Sequence, residues 1–432
     1  MTFPLHRPLA GLLLTLAGAT ATAAGERLLF NGQPAPGLRL TVVDMEGEVP
    51  FTGDAVVVPK PPKPQVPTSE VRAERRGQAV RLQWKEAWYA ALRFEADPPW
   101  DLSADLADAT LEFEVRSDDL AQAGLNIAMS CGPDCGRKVN HVMASRALVG
   151  KGWQRLAFSL QCFVREGADF RRVERPFVLE TSGTGSVELA NARIVRHGQP
   201  NTPCPDYRSQ SVTATPLEEI WSLDWWMPRH EAKRAEVRQR QQAGERVELV
   251  FIGDSITQGW ENEGQAVWRK HYAPLKALNL GFGGDRTENV LWRLQHGELD
   301  GIHPKAAVLM IGTNNTGDRR EDPRTTAAGI RRLLDEIRQR LPDTPVLLLA
   351  VFPRGEQPSD PLRRLNQQLN QLIASFADGR QVVFLDIGHA LTNPDGTLSR
   401  DVMPDLLHLS EKAYAAWADA MAPALAPWLA RP

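Results

Sequence analysis

The sequence predicts an α/β fold class with a second architecture in front of it: a β-rich region, then a doubly wound α/β domain on a five-stranded parallel sheet. Three observations predict this. Residues 26 to about 198 hold short alternating stretches such as AVRLQW (79–84), ATLEFEVRS (109–117) and SVELANARIV (186–195), with turn-forming residues between them, the pattern of strands with one buried face. From residue 247 onward, five short apolar runs alternate with helical segments, as in parallel strands covered on both faces by helices. Between the two regions, GQPNTPCPDYRSQSVTATP (198–216) has the composition of an interdomain linker. The expected boundaries are therefore 26–198 for the β-rich region, 199–216 for the linker and 217–432 for the α/β domain.

The chain has 432 residues, of which 42% are hydrophobic and 24% charged, as in folded globular material. The formal net charge of -3 offers no electrostatic reason to expect a nucleic-acid partner. The N-terminus, MTFPLHRPLAGLLLTLAGATATAAG, places a weakly basic start (His6, Arg7) before an apolar run from Leu9 to Leu16. It ends at Ala21-Thr22-Ala23, the grammar of a cleavable signal peptide spanning residues 1–23. The run is too short to span a bilayer, and no cysteine follows the cleavage site. The expectation is a periplasmic or secreted chain starting near Ala24, with no stable membrane anchor. Cys131, Cys135, Cys162 and Cys204 are the four cysteines. In an exported protein they suit disulfides better than a metal site. Three pairings are open, one of which joins Cys131 to Cys135 and Cys162 to Cys204.

In order along the chain, VVVPKPPKPQVP (56–67) reads as an extended loop within the β-rich region. Residues 217–244 read as a helix stopped by Gly244. The five expected parallel strands are 247–253, 277–283, 306–312, 345–352 and 381–388. The expected helices include 321–341, 360–377 and 410–425. In such folds function collects at the carboxyl ends of the strands, and four features there invite chemistry. The first run, VELVFIG, stops on Asp254-Ser255. That is either a helix cap or a serine nucleophile. A serine nucleophile needs a base, usually a histidine oriented by a carboxylate. DLLHLS supplies Asp405 and His408 three residues apart, with Ser410 placed to cap the last helix. His271, His296, His303 and His389 lack such a partner. An acyl-transfer site also needs oxyanion donors. Gly284, in NLGFGGDRTENV, lets a backbone N–H approach a ligand. Asn314, in MIGTNNTG, offers a side-chain amide.

Each feature alone is also a common turn or cap. Together, the order Ser, Gly, Asn and Asp-x-x-His resembles the SGNH, or GDSL-like, hydrolase family, with GDSITQG, NLGFGGD, GTNN and DLLHLS as its four blocks. Residues 220 to 428 resemble in particular the catalytic subunits of brain-type platelet-activating-factor acetylhydrolase and their bacterial relatives. The resemblance implies a flavodoxin-like fold with Ser255 as nucleophile, His408 as base and Asp405 as its orienter. The oxyanion hole would be the Ser255 N–H, the Gly284 N–H and the Asn314 amide, with no cofactor and no metal. Stretches such as LEFEVRSDDLAQAGLNIAMSCGPDCGRKVN and GKGWQRLAFSLQCFVREGADF resemble the ExoP-type galactose-binding-like domain of some bacterial β-glucosidases, which implies a β-sandwich over 26–198. Trp84, Trp88, Trp100 and Trp153 are candidates for stacking on sugars, and at least two are expected to fill the sandwich instead.

The reading is an exported serine esterase of short, acetyl-type esters on carbohydrate, its partner an acylated carbohydrate or other small ester. Two alternatives stand beside it: a lipid-directed esterase, and a carbohydrate-binding protein with a vestigial hydrolase domain. The related subunits form dimers, so a homodimer is a further expectation.

Overall fold

A computed structural model of the chain describes residues 25–132, 135–164 and 169–430. The signal-peptide reading falls on residues 1–23, outside the described residues. In the N-terminal region the expected short strands merge into longer ones. AVRLQW is the start of a strand spanning Ala79–Ala96, and SVELANARIV is the end of one spanning Arg175–Val195. Each long strand changes partner midway. The first pairs with Glu70–Arg76 at its start and with Leu38–Asp44 at its end. The second pairs with Asn126–Gly132 and then with Thr110–Gln122. The switch occurs where the ladder shifts register opposite Gly183, whose φ is +77°, and beside Glu86, at +48°. Such bulges bend a strand, so one strand serves two layers. Phe30, Phe94, Phe113, Phe158 and Phe177 fill the space between them.

The second domain carries five parallel strands, β1 (Leu249–Gly253), β2 (Leu278–Gly281), β3 (Ala306–Met310), β4 (Val346–Leu349) and β5 (Val382–Leu385). Their spatial order is β2-β1-β3-β4-β5, the flavodoxin-like order. Alternate residues point to opposite faces, so the sheet has two cores. Val250, Ile252, Leu309 and Leu348 pack on one side, against the helices Pro323–Arg340 and Pro361–Ala374. Leu249, Phe251, Val308 and Leu347 pack on the other, against Tyr414, Trp417 and Met421 of the helix Glu411–Leu429. Two of these helices start with the same device. Asp322 and Asp360 accept the backbone N–H groups of Arg324 and Leu362, each with proline at the first helical position.

Three local expectations are corrected. The helix expected over 217–244 runs only from Trp226 to Gln242. Residues 217–225 instead form a strap with one short turn at Ile220–Ser222, fixed by the Ser222 hydroxyl bonding to Leu217 and Glu219. Ser410 occupies the cap position of the last helix, yet its hydroxyl donates to the Asp401 carbonyl rather than capping. That helix also runs past residue 425 to Leu429, where Leu425 and Trp428 are buried on its inner side.

Candidate active site

β1 lies between β2 and β3, where the chain reverses direction across the sheet. This is the position at which open α/β folds bind ligands. Three loops meet there, following Gly253, Gly281 and Met310. The cap reading of Gly-Asp-Ser falls on Asp254 and leaves the Ser255 hydroxyl out of the cap. Asp254 is the cap, its carboxylate accepting the Ile256 N–H at 3.0 Å. Ser255 is the first residue of the short helix Ser255–Gln258. Its own N–H therefore has no intrahelical acceptor.

The Ser255 hydroxyl lies 2.9 Å from His408 Nε2, across 153 residues of sequence. His408 Nδ1 is 2.6 Å from Asp405 Oδ2. The other carboxylate oxygen accepts the N–H groups of Leu407 and His408, at 3.0 and 2.7 Å. The turn needs Leu406 at φ +64°, a conformation uncommon for such a residue. Partial burial opposes ionisation of Asp405, but the hydrogen bonds from the His408 side chain and from the two backbone groups outweigh it. Its pKa lies below the ordinary carboxylate value. The carboxylate is thus ionised at neutral pH, and the imidazole between it and Ser255 is held in one orientation.

The two remaining candidates are tied to each other. Asn314 Nδ2 donates to the backbone carbonyl of Asp285 at 2.9 Å, the residue after Gly284. A primary amide has two N–H donors, so one stays available. Gly284 has φ +73°, and a Cβ there would fall 2.0 Å from the Trp221 ring. Conformation and contact both require glycine at this position. The preceding N–H, of Gly283, donates to Gln258 Oε1 at 2.7 Å.

Below this loop sits a buried polar network with no counterpart in the sequence reading. Asp285 accepts from Trp226 Nε1 at 2.6 Å and from Arg293 Nε at 2.8 Å. Arg293 also pairs with Glu298 and reaches the carbonyl of Leu280 at 3.2 Å, at the end of β2. Glu298 in turn meets His230 Nδ1 at 2.8 Å. Burial pushes the Asp285 carboxyl up, to about 7, against the pull of Arg293 and Trp226.

Of the four sandwich tryptophans, Trp84 is buried with its N–H on the Ser182 carbonyl, and Trp100 packs against the core. Trp88 and Trp153 are at the surface, 63% and 39% exposed, the latter beneath Arg116. Cys162 and Cys204 form a disulfide. The expected partner of Cys131 is Cys135, whose side chain lies outside the described residues. Among the described residues, no helix is long and apolar enough to cross a membrane.

Comparison with known proteins decides the family. Residues 251–416 match the GDSL-like lipase/acylhydrolase family, and residues 63–194 match a galactose-binding domain-like family. Over 202 residues the chain is 39% identical to platelet-activating factor acetylhydrolase IB subunit alpha1 of Pongo abelii, spanning 46% of this chain and 83% of that protein. The chain belongs to the GDSL-like acylhydrolases. Among solved structures, it is similar to the extra C-terminal domain of an exo-1,3/1,4-β-glucanase from a Pseudoalteromonas species, at 18% identity and a TM-score of 0.32, covering 41% of this chain and 95% of that one. It is also similar to a catalytic mutant of an acetylxylan esterase from Geobacillus stearothermophilus, at 18% identity and a TM-score of 0.35, covering 43% and 95%. This GDSL-like chain is thus a carboxylic-ester hydrolase by family, with a galactose-binding-like domain ahead of the hydrolase domain.

Proposed function

We propose that this acylhydrolase is an exported serine esterase that removes short acyl groups, acetyl in the first place, from carbohydrate. The observation that carries the reading is His408 bridging Ser255 and Asp405, with both bonds within reach for proton transfer. In this mechanism the Ser255 oxygen attacks the ester carbonyl as His408 Nε2 takes its proton. The Ser255 N–H, the Gly284 N–H and the second N–H of the Asn314 amide receive the oxyanion. The carbon–oxygen bond to the alcohol breaks, and His408 returns the proton to the departing alcohol. Water, deprotonated by the same imidazole, then hydrolyses the acyl-enzyme. Asp405 keeps Nδ1 protonated and faces the imidazolium that forms.

The acetyl preference takes its support from the acetylhydrolase relative, and the carbohydrate preference from the galactose-binding-like domain. Export takes its support from the N-terminal signal grammar and from the Cys162–Cys204 disulfide, a bond of oxidising compartments. The test is acetate release from acetylated xylan by the mature chain, with Ser255→Ala alongside. Release by the wild type alone supports the reading. Turnover by both removes Ser255 from the mechanism. Wild-type activity confined to acetylated lipids would move the substrate to the lipid-directed alternative.

A further inference from the structure

Trp221 is 49% exposed, although its neighbours Ile220 and Ser222 are buried. Its six-membered ring lies against Gly284, close enough that a Cβ on that glycine would overlap it, and Trp225 lies beside Gly283 at ordinary contact distance, 3.4 Å from where a Cβ would stand. The two indoles face each other with centroids 6.2 Å apart and planes 26° from parallel, and Trp225 Nε1 donates to the Trp221 carbonyl at 2.9 Å. An open aromatic pair therefore borders the glycine turn that precedes Asp285 and Asn314.

The strap that carries Trp221 is fixed from both sides. Glu219 accepts from Arg286 at 3.2 Å and lies 3.8 Å from Lys138 of the sandwich domain. Asn140 of that domain donates to the Glu218 carbonyl at 3.1 Å. Trp221 is thus a large apolar side chain held in place yet half-exposed to solvent. A rigid one binds at little entropic cost.

We propose that Trp221 is a specificity-determining residue of this esterase: its exposed ring, backed by Trp225, stacks on the pyranose ring that bears the ester. The flat indole matches the flat C–H face of a pyranose, while the sugar hydroxyls at the rim stay in water. A flexible alkyl chain would instead call for an enclosing apolar groove. The proposal rests on the esterase reading and goes beyond it by naming the wall that selects the alcohol portion.

The experiment compares kcat/KM for an acetylated xylo-oligosaccharide and for ethyl acetate, which share the acyl group and differ in the alcohol. The wild type, Trp221→Ala and Trp221→Phe are measured in the full chain. The expected result is that the ratio of sugar acetate to ethyl acetate falls about tenfold in Trp221→Ala. KM should carry the loss, and Trp221→Phe should recover most of the ratio. A constant ratio, whether both activities fall or neither does, overturns the proposal, because the ring then serves the glycine loop alone or nothing. Wild-type turnover of ethyl acetate without turnover of the sugar ester also overturns it while leaving the serine-esterase reading intact. Turnover of neither ester overturns both.

Discussion

Two polar clusters in this domain are built in opposite ways. His408 and Asp405 are 46% and 55% exposed at the side chain, on a loop, and each makes short hydrogen bonds. Arg293, Asp285 and Glu298 are fully buried, and they join the end of β2 to the turn that holds Gly284. The difference teaches a division of labour. The groups that meet the substrate and exchange protons with it in the proposed mechanism stay open to water. The groups that fix the geometry are dry, where an ion pair is strong and its loss expensive. If the division holds, substitutions in the first cluster should remove activity at constant stability, and substitutions in the second should lower stability first.

The largest effect is expected at Ser255. Ser255→Ala should reduce kcat for ester hydrolysis by on the order of 10⁵-fold, with an unchanged thermal midpoint, since among the described residues the hydroxyl bonds only to His408. Activity assays paired with calorimetry check this, and a large shift in the midpoint would break the comparison. Next comes Arg293→Met, which leaves Asp285 and Glu298 buried without their cation. Removing one partner of a buried ionic network costs about 3–5 kcal/mol. Denaturant unfolding should show that loss. Stability within about 0.5 kcal/mol of the wild type would mean the network is dispensable.

Asn314→Ala sharpens the boundary between the two clusters, because this side chain belongs to both. Its amide braces the Asp285 carbonyl, and its second N–H is the oxyanion donor of the proposed mechanism. Loss of one such donor costs about 10²–10³ in kcat. If Asn314 acts mainly through the oxyanion, kcat falls by that amount while KM stays near the wild-type value. A loss carried wholly by KM would assign Asn314 to the scaffold alone.

The exposed cluster was legible in the sequence and the buried one was not, for a physical reason. Ser255, Gly284 and Asn314 follow points where apolar strands stop, so each stands out against the run before it, and His408 is marked by Asp405 three residues ahead of it. Arg293, by contrast, lies in Thr287–Arg293 among ordinary helix residues, where a charge reads as a solvated face. Its partner Glu298 follows an irregular turn at His296 and Gly297. Nothing local marks either as buried; only the tertiary fold closes over them. Trp221 was hidden similarly: LEEIWSLDWWMP has helical composition, and its strap conformation comes from bonds to Ser222, Lys138 and Arg286. In the sandwich the strand positions were legible, but their lengths were not. The bulges at Glu86 and Gly183 let one strand cross two layers, where alternation alone suggests two short strands.

The smallest effect concerns Asp254, which sits between the two clusters. It caps the nucleophile helix from a fully buried position, and its Oδ2 has no partner among the described residues. Burial, only partly offset by the Ile256 N–H, raises its pKa from 3.8 to about 7. In the unfolded chain the carboxyl ionises near pH 4; in the native state it keeps its proton until near pH 7. A raised carboxylate pKa contributes stability that is fully present below about pH 4, declines between about pH 4 and 7, and is gone above about pH 7. Asn is as good a cap as Asp and does not titrate. Asp254→Asn should therefore change little at about pH 4 and gain steadily on the wild type as the pH rises towards about 8. Thermal midpoints of both proteins across that window test this. A difference that stays level throughout would mean that Asp254 ionises in the native state as it does in the unfolded chain, and that the dry region of the site ends before the nucleophile rather than beneath it.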